Sequence, residues 1–408
     1  MDESKKNIKI YLFIIIILSV LYYIICFFTH GKYFDSVFFG DHNDTFADFF
    51  KCVYGWHGNP FEENIGNYPA IAMIFYKVAY MAIPNGVYVD NGLQYRAESS
   101  IWIVFILYNI FVIWVSWISI DKMSNLSVSQ KKLLSIALLL STPVMFSLER
   151  GNQVNLAFAL TFFFAAYYND QRRYMREISL ICLALAASLK IYPAVYGFIL
   201  LKERKWKETG RIIIYGGVLF FFPFLFYGKN AFRSFIKCLF KFSEGHTMYA
   251  YNFSIKNIVR AIVHVCGGTI PDALCDKIWI IFLAFLFIVI LMAKKDWKLW
   301  GALTFILIWV PAVSDTYVML FMIIPFVMLL NEVNVTNEKY KKSDLIAMFM
   351  FMMLFVPFAL PSIEKEGGYI LSYTYIIYFI TTLGIEILIV YQVLKEWRIP
   401  YHKNMVEQ

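Results

Sequence analysis

Long apolar stretches recur along almost the whole sequence, and they constrain the fold more than any other feature. Hydrophobic residues make up 60% of the 408 residues and charged residues only 16%, which is far less polar than a soluble protein. A membrane-spanning helix needs about 20 apolar residues. Ten stretches qualify as candidate spans: 9–29, 100–120, 133–148, 154–168, 212–227, 278–293, 299–313, 317–331, 345–360 and 370–393. The sequence therefore predicts an all-α polytopic membrane protein.

The Lys and Arg residues are concentrated in short segments between the apolar stretches. Such segments are typical of cytoplasmic loops, because positively charged loops stay on the cytoplasmic side. They occur at Lys5–Lys9, Lys122–Lys132, Arg172–Arg176, Lys202–Arg211, Lys294–Lys298, Lys339–Lys342 and Lys395–Lys403. This distribution predicts that both termini are cytoplasmic and that residues 30–99 and 228–277 form large external loops. Because the basic residues are divided among many loops, the net charge of +8 indicates membrane topology rather than nucleic-acid binding.

Residues 69–84 form an apolar stretch that is not expected to cross the membrane. The stretch is short and contains Lys77, and a crossing here would invert every later loop. We therefore expect it to lie along the outer membrane surface, together with a second amphipathic helix at 44–55. Both belong to the first external loop, residues 30–99, and loops of this length are usually functional.

Residues 178–201 are expected to enter and leave the membrane on the same side. Basic residues precede and follow these 24 residues, which are too few to cross twice at a rise of about 1.5 Å per residue. We predict two half-helices of similar length that turn at Lys190-Ile191-Tyr192-Pro193. A lysine at membrane depth is tolerated only against protein or a polar cavity, which makes Lys190 a candidate ligand for an anion.

An acidic cluster, Asp41-His42-Asn43-Asp44-Thr45-Phe46-Ala47-Asp48, follows the first apolar stretch. Carboxylates at a membrane boundary are costly to desolvate, which favours a functional role. Asp44 and Asp48 are four residues apart and share one face if the segment is helical. Asp41 is interpreted as a solvated loop residue, and Asp44-Thr45 has the alternative interpretation of a helix cap.

The second predicted external loop contains an amphipathic segment at 230–242. Its phenylalanines and aliphatic residues are interspersed with Arg233, Lys237 and Lys241. This composition suits an outer membrane surface that holds anionic lipid. The alternative is a helix that only anchors the loop at the interface.

Five short motifs follow one another in a set order along the chain. They are Asp-x-x-x-Asp-Phe-Phe (Asp44–Phe50), Asn-Tyr-Pro-Ala (Asn67–Ala70), Glu-Arg-Gly-Asn-Gln-Val-Asn (Glu149–Asn155), Leu-Lys-Ile-Tyr-Pro (Leu189–Pro193) and Tyr-Asn-Phe-Ser (Tyr251–Ser254). In this order they resemble the GT-C membrane glycosyltransferases, and glycosyltransferase family 87 in particular. The resemblance implies a bundle of about 12 transmembrane segments that transfers a hexose, usually mannose, from a polyprenyl-phosphate donor on the outer face.

The resemblance also implies roles for individual residues. Asp48 is the first candidate for the general base that deprotonates the acceptor hydroxyl, and Asp44 is the second. Independently of the resemblance, departure of a phosphate needs cations, and Lys190 at the predicted turn is the first candidate, ahead of Arg150, Lys77 and the cations of residues 229–260. The other candidates for substrate binding are Tyr68, Asn152, Gln153, Asn155, Tyr192 and Asn252. The turn at 151–153 has the alternative role of closing a connection between two helices.

Together these features predict a single membrane-embedded glycosyltransferase domain over residues 1–408, in the plasma (inner) membrane and with an extracytoplasmic active site. Its expected partners are a polyprenyl-phosphate sugar donor, a lipid-linked or cell-envelope glycan acceptor and the lipid bilayer, and no nucleic acid. We expect no cofactor and no metal, since the chain has no Asp-x-Asp pair to clamp a nucleotide sugar. The alternatives are a lipid-linked glycan flippase and a membrane polysaccharide polymerase.

Overall fold

The computed structural model shows a helical protein with a short β hairpin near its C-terminal end. It describes residues 3–38, 45–57, 59–62, 68–84, 87, 89–245, 252–294, 296–335, 341–365 and 369–406. The α-helices are α1 (Glu3–Phe28), α2 (Ala47–Tyr54), α3 (Ala70–Tyr80), α4 (Ser99–Met123), α5 (Val128–Leu139), α6 (Thr142–Arg150), α7 (Val154–Tyr167), α8 (Arg173–Leu189), α9 (Phe198–Lys202), α10 (Trp206–Phe221), α11 (Ala231–Gly245), α12 (Ile255–Val265), α13 (Asp272–Met292), α14 (Trp297–Trp309), α15 (Ile323–Val335), α16 (Lys342–Phe355) and α17 (Tyr373–Val406). Short 3₁₀ helices occupy Phe34–Ser36, Gly55–His57, Gly92–Ala97, Tyr192–Gly197, Phe222–Tyr227 and Thr316–Met322. The strands are β1 (Ser362–Lys365) and β2 (Tyr369–Ser372).

Among the residues that the structure describes, six helical segments are long and apolar enough to cross a membrane. They are Lys6–Phe28, Ser99–Met123, Trp206–Tyr227, Asp272–Met292, Thr316–Val335 and Tyr373–Trp397. The number rises to seven if α5 and α6, which are bent by 53°, form one span. By their length and composition these helices support the prediction of a helical membrane protein. The predicted number of about 12 spans is not confirmed by the described residues.

The β hairpin departs from the expected all-α architecture. β1 and β2 pair antiparallel, with Ile363 opposite Leu371. The apolar stretch predicted at 370–393 therefore begins as a strand, and its helix starts only at Tyr373. Apolar residues alone do not distinguish a strand from the first turn of a helix, which is why the sequence pattern missed this element.

Contacts divide the chain into two compact units, each assembled from separate stretches. The first unit comprises Met1–Phe38, Ser124–Met145 and Met248–Gln408. Within it, α1 packs against α5 and α15, and α14 packs against α15 and α17. The Tyr11 hydroxyl of α1 donates a hydrogen bond to the Met348 carbonyl of α16 (2.7 Å). The single membrane-embedded domain expected from the sequence stays a prediction.

The second unit comprises Phe39–Met123 and Phe146–Thr247. In it α7 contacts α4 and α8, and α8 contacts α10, while the short helix α3 contacts α2, α4 and α8. An aromatic core connects the short helices with the segment that follows α10, and it includes Phe49 of α2, Phe105 of α4 and Phe235 of α11. The burial of Phe49 in this core holds α2 in position within the unit.

The stretch predicted as a hairpin of half-helices is interrupted at Lys190. Helix α8 runs without a break from Arg173 to Leu189, and Lys190 then has an extended backbone (φ −141°, ψ 124°). The 3₁₀ helix at Tyr192–Gly197 and the short helix α9 follow. Helical segments thus lie on both sides of Lys190, and the membrane hairpin itself stays a prediction. The depth of Lys190 in the membrane stays a prediction.

Gly92 brings the 3₁₀ helix at Gly92–Ala97 into direct contact with α2. A Cβ atom on Gly92 would lie 2.6 Å from the Phe50 carbonyl oxygen and 2.8 Å from the Lys51 Cα. Both are backbone atoms, so they cannot give way unless α2 itself moves. Glycine is therefore needed at position 92 for the present placement of α2.

We expect Gly92→Ala to lower the free energy of unfolding by about 1–3 kcal/mol, because overpacking displaces α2. Thermal unfolding of the purified protein in detergent measures this loss. Gly210→Ala is the matched control, since nothing lies within 4 Å of the Cβ added at that glycine. Equal melting temperatures for the two variants would contradict the close contact between Gly92 and α2.

Candidate active site

Helix α2 is amphipathic and presents Asp48 away from the aromatic core. Phe49, Phe50 and Val53 are fully buried, whereas the side chain of Asp48 keeps 21% of its exposure. Cys52 follows Asp48 by four residues, so both lie on one face of the helix. Burial of the aromatic side of α2 thus determines the direction in which the carboxylate points.

Phe46 leads the chain into α2 with a left-handed backbone (φ 58°, ψ 16°). This conformation costs a residue other than glycine about 1–2 kcal/mol. The Phe46 N–H donates to the Glu149 carbonyl oxygen (2.7 Å), and its ring packs against Trp102 and Phe105, with centroids 5.2 and 5.3 Å away. These contacts hold a strained residue two positions before Asp48.

A tight turn between α6 and α7 carries Arg150 and Asn152. Gly151, at its centre, has a φ of +63°, and a Cβ there would lie 2.9 Å from Cβ of Phe49. Glycine is thus required both by the backbone conformation and by the approach of α2. The Asn152 Oδ1 accepts a hydrogen bond from the N–H of Val154, the first residue of α7 (3.0 Å). The amide nitrogen of Asn152 then serves as a donor to other side chains.

The carboxylate of Asp48 is held at both of its oxygens. Arg150 Nη2 donates to Oδ1 (2.5 Å), and Asn152 Nδ2 donates to Oδ2 (2.7 Å). The side chain of Arg150 is only 10% exposed, and a charge-assisted hydrogen bond is stronger than one between neutral groups. The two bonds orient the carboxylate, and about two of its four lone-pair sites remain able to accept a further proton or hydrogen bond.

Tyr68 connects the residues around this carboxylate to Lys190, the residue predicted to bind phosphate. Its hydroxyl oxygen accepts a hydrogen bond from Asn152 Nδ2 (3.1 Å), and Lys190 Nζ lies 4.1 Å from the centroid of its ring. A cation–π contact of this kind contributes about 0.5–2 kcal/mol. Asp48, Arg150, Asn152, Tyr68 and Lys190, called the Asp48 cluster below, therefore bring a carboxylate and two cations together within the second unit.

Cys52 and Tyr76 also border the Asp48 cluster, and sequence analysis did not identify them. Burial, together with the negative charge of Asp48, raises the pKa of the Cys52 thiol to about 12. Burial likewise holds the pKa of the Tyr76 hydroxyl well above its usual value, and the Tyr76 ring lies 6.0 Å from that of Tyr68. Both groups are therefore neutral at pH 7. The four-residue spacing from Asp48 was the available signal for Cys52.

Two predicted ligands have structural partners elsewhere in the same unit. Gln153 Nε2 donates to the Ala72 carbonyl oxygen (2.8 Å), which connects the start of α7 to α3. Asn155 Nδ2 donates to the Ser147 carbonyl oxygen (3.2 Å). These contacts agree with the alternative interpretation that the turn closes a helix connection.

Lys77 and Tyr192 occupy two further positions in the second unit. Lys77 is exposed in α3, and its Nζ lies 5.3 Å from the ring centroid of Trp56. Tyr192 is half-buried at the start of a 3₁₀ helix, two residues after Lys190. A role for either side chain in substrate binding stays a prediction.

Asp44 lies outside the described residues, and its predicted role as the alternative base stays a prediction.

Asn252 belongs to the first unit. The Asn252 Nδ2 donates to the Ala312 carbonyl oxygen (2.8 Å). Its Oδ1 accepts from the Ser254 and Ser314 N–H groups, each at 2.9 Å. These bonds connect the loop before α12 to the segment after α14, and a role for Asn252 in substrate binding stays a prediction.

The Asp48 cluster combines a carboxylate, which can act as a base, with two cations that can bind an anion. A carboxylate accepts a proton from an attacking hydroxyl, and nearby cations stabilise negative charge on a leaving group. In the part of the chain that the structure describes, no three His, Cys, Asp or Glu side chains are grouped so that they could hold a metal ion.

Comparison with known proteins identifies the family. The family model of Glycosyltransferase family 87 matches residues 92–309, which is more than half of the 408 residues. No curated protein and no solved structure matches significantly. Arg150, Asn152 and Lys190 lie within the matched range, whereas Asp48 and Tyr68 precede it. The resemblance seen in the five sequence motifs is thereby confirmed, and the chain belongs to glycosyltransferase family 87.

Proposed function

We propose that this glycosyltransferase moves a hexose, with mannose as the first candidate, from a polyprenyl-phosphate donor to a lipid-linked or cell-envelope glycan acceptor. The single observation that carries the proposal is the Asp48 cluster, in which a carboxylate and an ammonium group are joined through Tyr68. Family membership supports glycosyl transfer. The carboxylate of the cluster favours an enzyme over the flippase alternative, because a flippase requires no base.

Asp48 acts as the general base in this proposal. The acceptor hydroxyl attacks the anomeric carbon, its proton passes to the Asp48 carboxylate, and the bond from that carbon to the phosphate oxygen breaks with inversion. Arg150 and Asn152 hold the carboxylate at 2.5 and 2.7 Å, so the base is already oriented when the acceptor arrives. Pre-orientation of this kind lowers the barrier because less order has to be imposed during the reaction.

Lys190 holds the departing phosphate in this proposal. Without a donor, the Tyr68 ring supports the ammonium group at 4.1 Å. The phosphodiester of the donor carries one negative charge and the departing polyprenyl phosphate up to two, and each attracts an ammonium group more strongly than an aromatic ring does. Lys190 can therefore exchange the ring for the phosphate when a donor binds, which stabilises the charge that develops on the leaving group.

The topology in this proposal follows from the distribution of basic residues. Both termini are cytoplasmic, and the Asp48 cluster faces the extracytoplasmic side of the plasma membrane. A lipid-linked donor suits this placement, since nucleotide sugars are cytoplasmic substrates. The acceptor binds at the membrane surface, on the side of the cluster from which the Asp48 carboxylate is accessible.

We expect Asp48→Asn to lower kcat by about 100- to 10,000-fold, because the amide cannot accept the proton of the acceptor hydroxyl. The assay measures transfer of labelled sugar from a polyprenyl-phosphate donor by the purified protein. Asp90→Asn is the matched control, since Asp90 is an exposed carboxylate in the same predicted external loop. Full turnover by Asp48→Asn would refute Asp48 as the base, and loss of activity in Asp44→Asn alone would assign that role to Asp44.

We expect Lys190→Met to raise the KM for the donor about tenfold or more, because the phosphate loses a charged hydrogen-bond donor. Lys190→Arg should restore part of the loss, since it keeps the positive charge. Lys207→Met is the control, because Lys207 is an exposed lysine at the start of α10. An unchanged KM and kcat in Lys190→Met would show that another cation holds the phosphate.

A further inference from the structure

Helix α11 has one face that packs on the protein and one that does not. Ala231, Phe235 and Cys238 are buried. Phe235 contacts the rings of Phe220 and Phe224, with centroids 6.2 and 5.4 Å away. The buried face thus belongs to the aromatic core that also contains Phe49 of α2.

The other face of α11 carries three cations in a row. Arg233, Lys237 and Lys241 are all exposed, and their four-residue spacing aligns them along the helix. Phe240 lies beside this row and keeps 65% of its exposure, whereas the ring of Phe232 packs on the aromatic core against Phe224 and Phe235. Large aromatic side chains beside a row of cations are typical of a helix that lies at the surface of a bilayer.

The cations of α11 differ from those of the next helix in how they are paired. In α12, Lys256 pairs with Asp276, and Arg260 pairs with Asp272 at 2.8 Å. Among the side chains that the structure describes, no carboxylate forms an ion pair with the three cations of α11. The row therefore presents a net charge of +3 on a surface that the rest of the described chain leaves uncovered.

We propose that α11 binds the headgroups of anionic phospholipids in the membrane that surrounds the protein. Arg233, Lys237 and Lys241 contact the phosphates, while Phe240 inserts at the boundary between headgroups and acyl chains. Charge complementarity selects anionic over zwitterionic lipid, and the exposed ring of Phe240 favours a lipid over a soluble anion, because only the lipid offers an apolar phase. This surface is independent of the sugar-transfer reaction proposed for the Asp48 cluster.

The test compares lipid binding by the purified full-length protein and by the triple variant R233Q/K237Q/K241Q. Each protein is reconstituted in nanodiscs of phosphatidylcholine with phosphatidylglycerol, and the excess of phosphatidylglycerol bound to it is measured by native mass spectrometry. We expect the triple variant to lose about tenfold or more of this preference, since each cation near an anionic surface contributes about fivefold. High salt should reduce the preference of the unmodified protein towards that of the variant.

The matched control is K256Q/R260Q/K277Q, which removes the same number and types of charge from α12 and α13. It should keep the preference for phosphatidylglycerol, as should the charge-conserving variant R233K/K237R/K241R. The proposal is overturned if R233Q/K237Q/K241Q binds phosphatidylglycerol as the unmodified protein does, or if the control loses as much. It is also overturned if inorganic phosphate displaces the lipid at equal concentration, because the surface would then bind free phosphate.

Discussion

The bonds from Arg150 and Asn152 to Asp48 are the interactions on which the proposed reaction centre depends. They join a helix of eight residues to a turn about 100 positions further along the chain. A short helix is only marginally stable by itself, so α2 needs these partners and its buried phenylalanines to hold a fixed position. Gly151 makes the arrangement possible, because a larger residue in the turn would collide with Phe49.

Asn152 explains how one turn serves both the fold and the proposed chemistry. Its oxygen accepts from the N–H of the first residue of α7, and its nitrogen donates to Asp48 and to Tyr68. The direction of the carboxylate is thus determined by a residue whose own orientation is fixed by a helix terminus. Tyr68 extends the same chain of contacts to Lys190. A base and a cation that belong to distant parts of the sequence are in this way held by a continuous set of buried or half-buried side chains.

The membrane class was predictable from the sequence because it depends on composition and on the length of the apolar stretches, which are local properties. Membrane position singled out Asp48 and Lys190 separately, and Arg150 came from its motif, but no local pattern could place residues so far apart in contact with one another. The roles of Gln153 and Asn155 were not predictable from the motif, because the direction of each side chain depends on its neighbours, Ala72 and Ser147.

The most direct test of the account is a structure of the protein with a non-hydrolysable phosphonate analogue of the polyprenyl-phosphate sugar. The account predicts a phosphonate oxygen within about 4 Å of Lys190 Nζ, the distance of an ion pair. We also expect the Asp48 carboxylate to face the anomeric carbon from the side opposite the phosphonate, since inversion requires the acceptor hydroxyl to attack from there. An analogue whose phosphonate contacts neither Lys190 nor any other member of the Asp48 cluster would contradict the account.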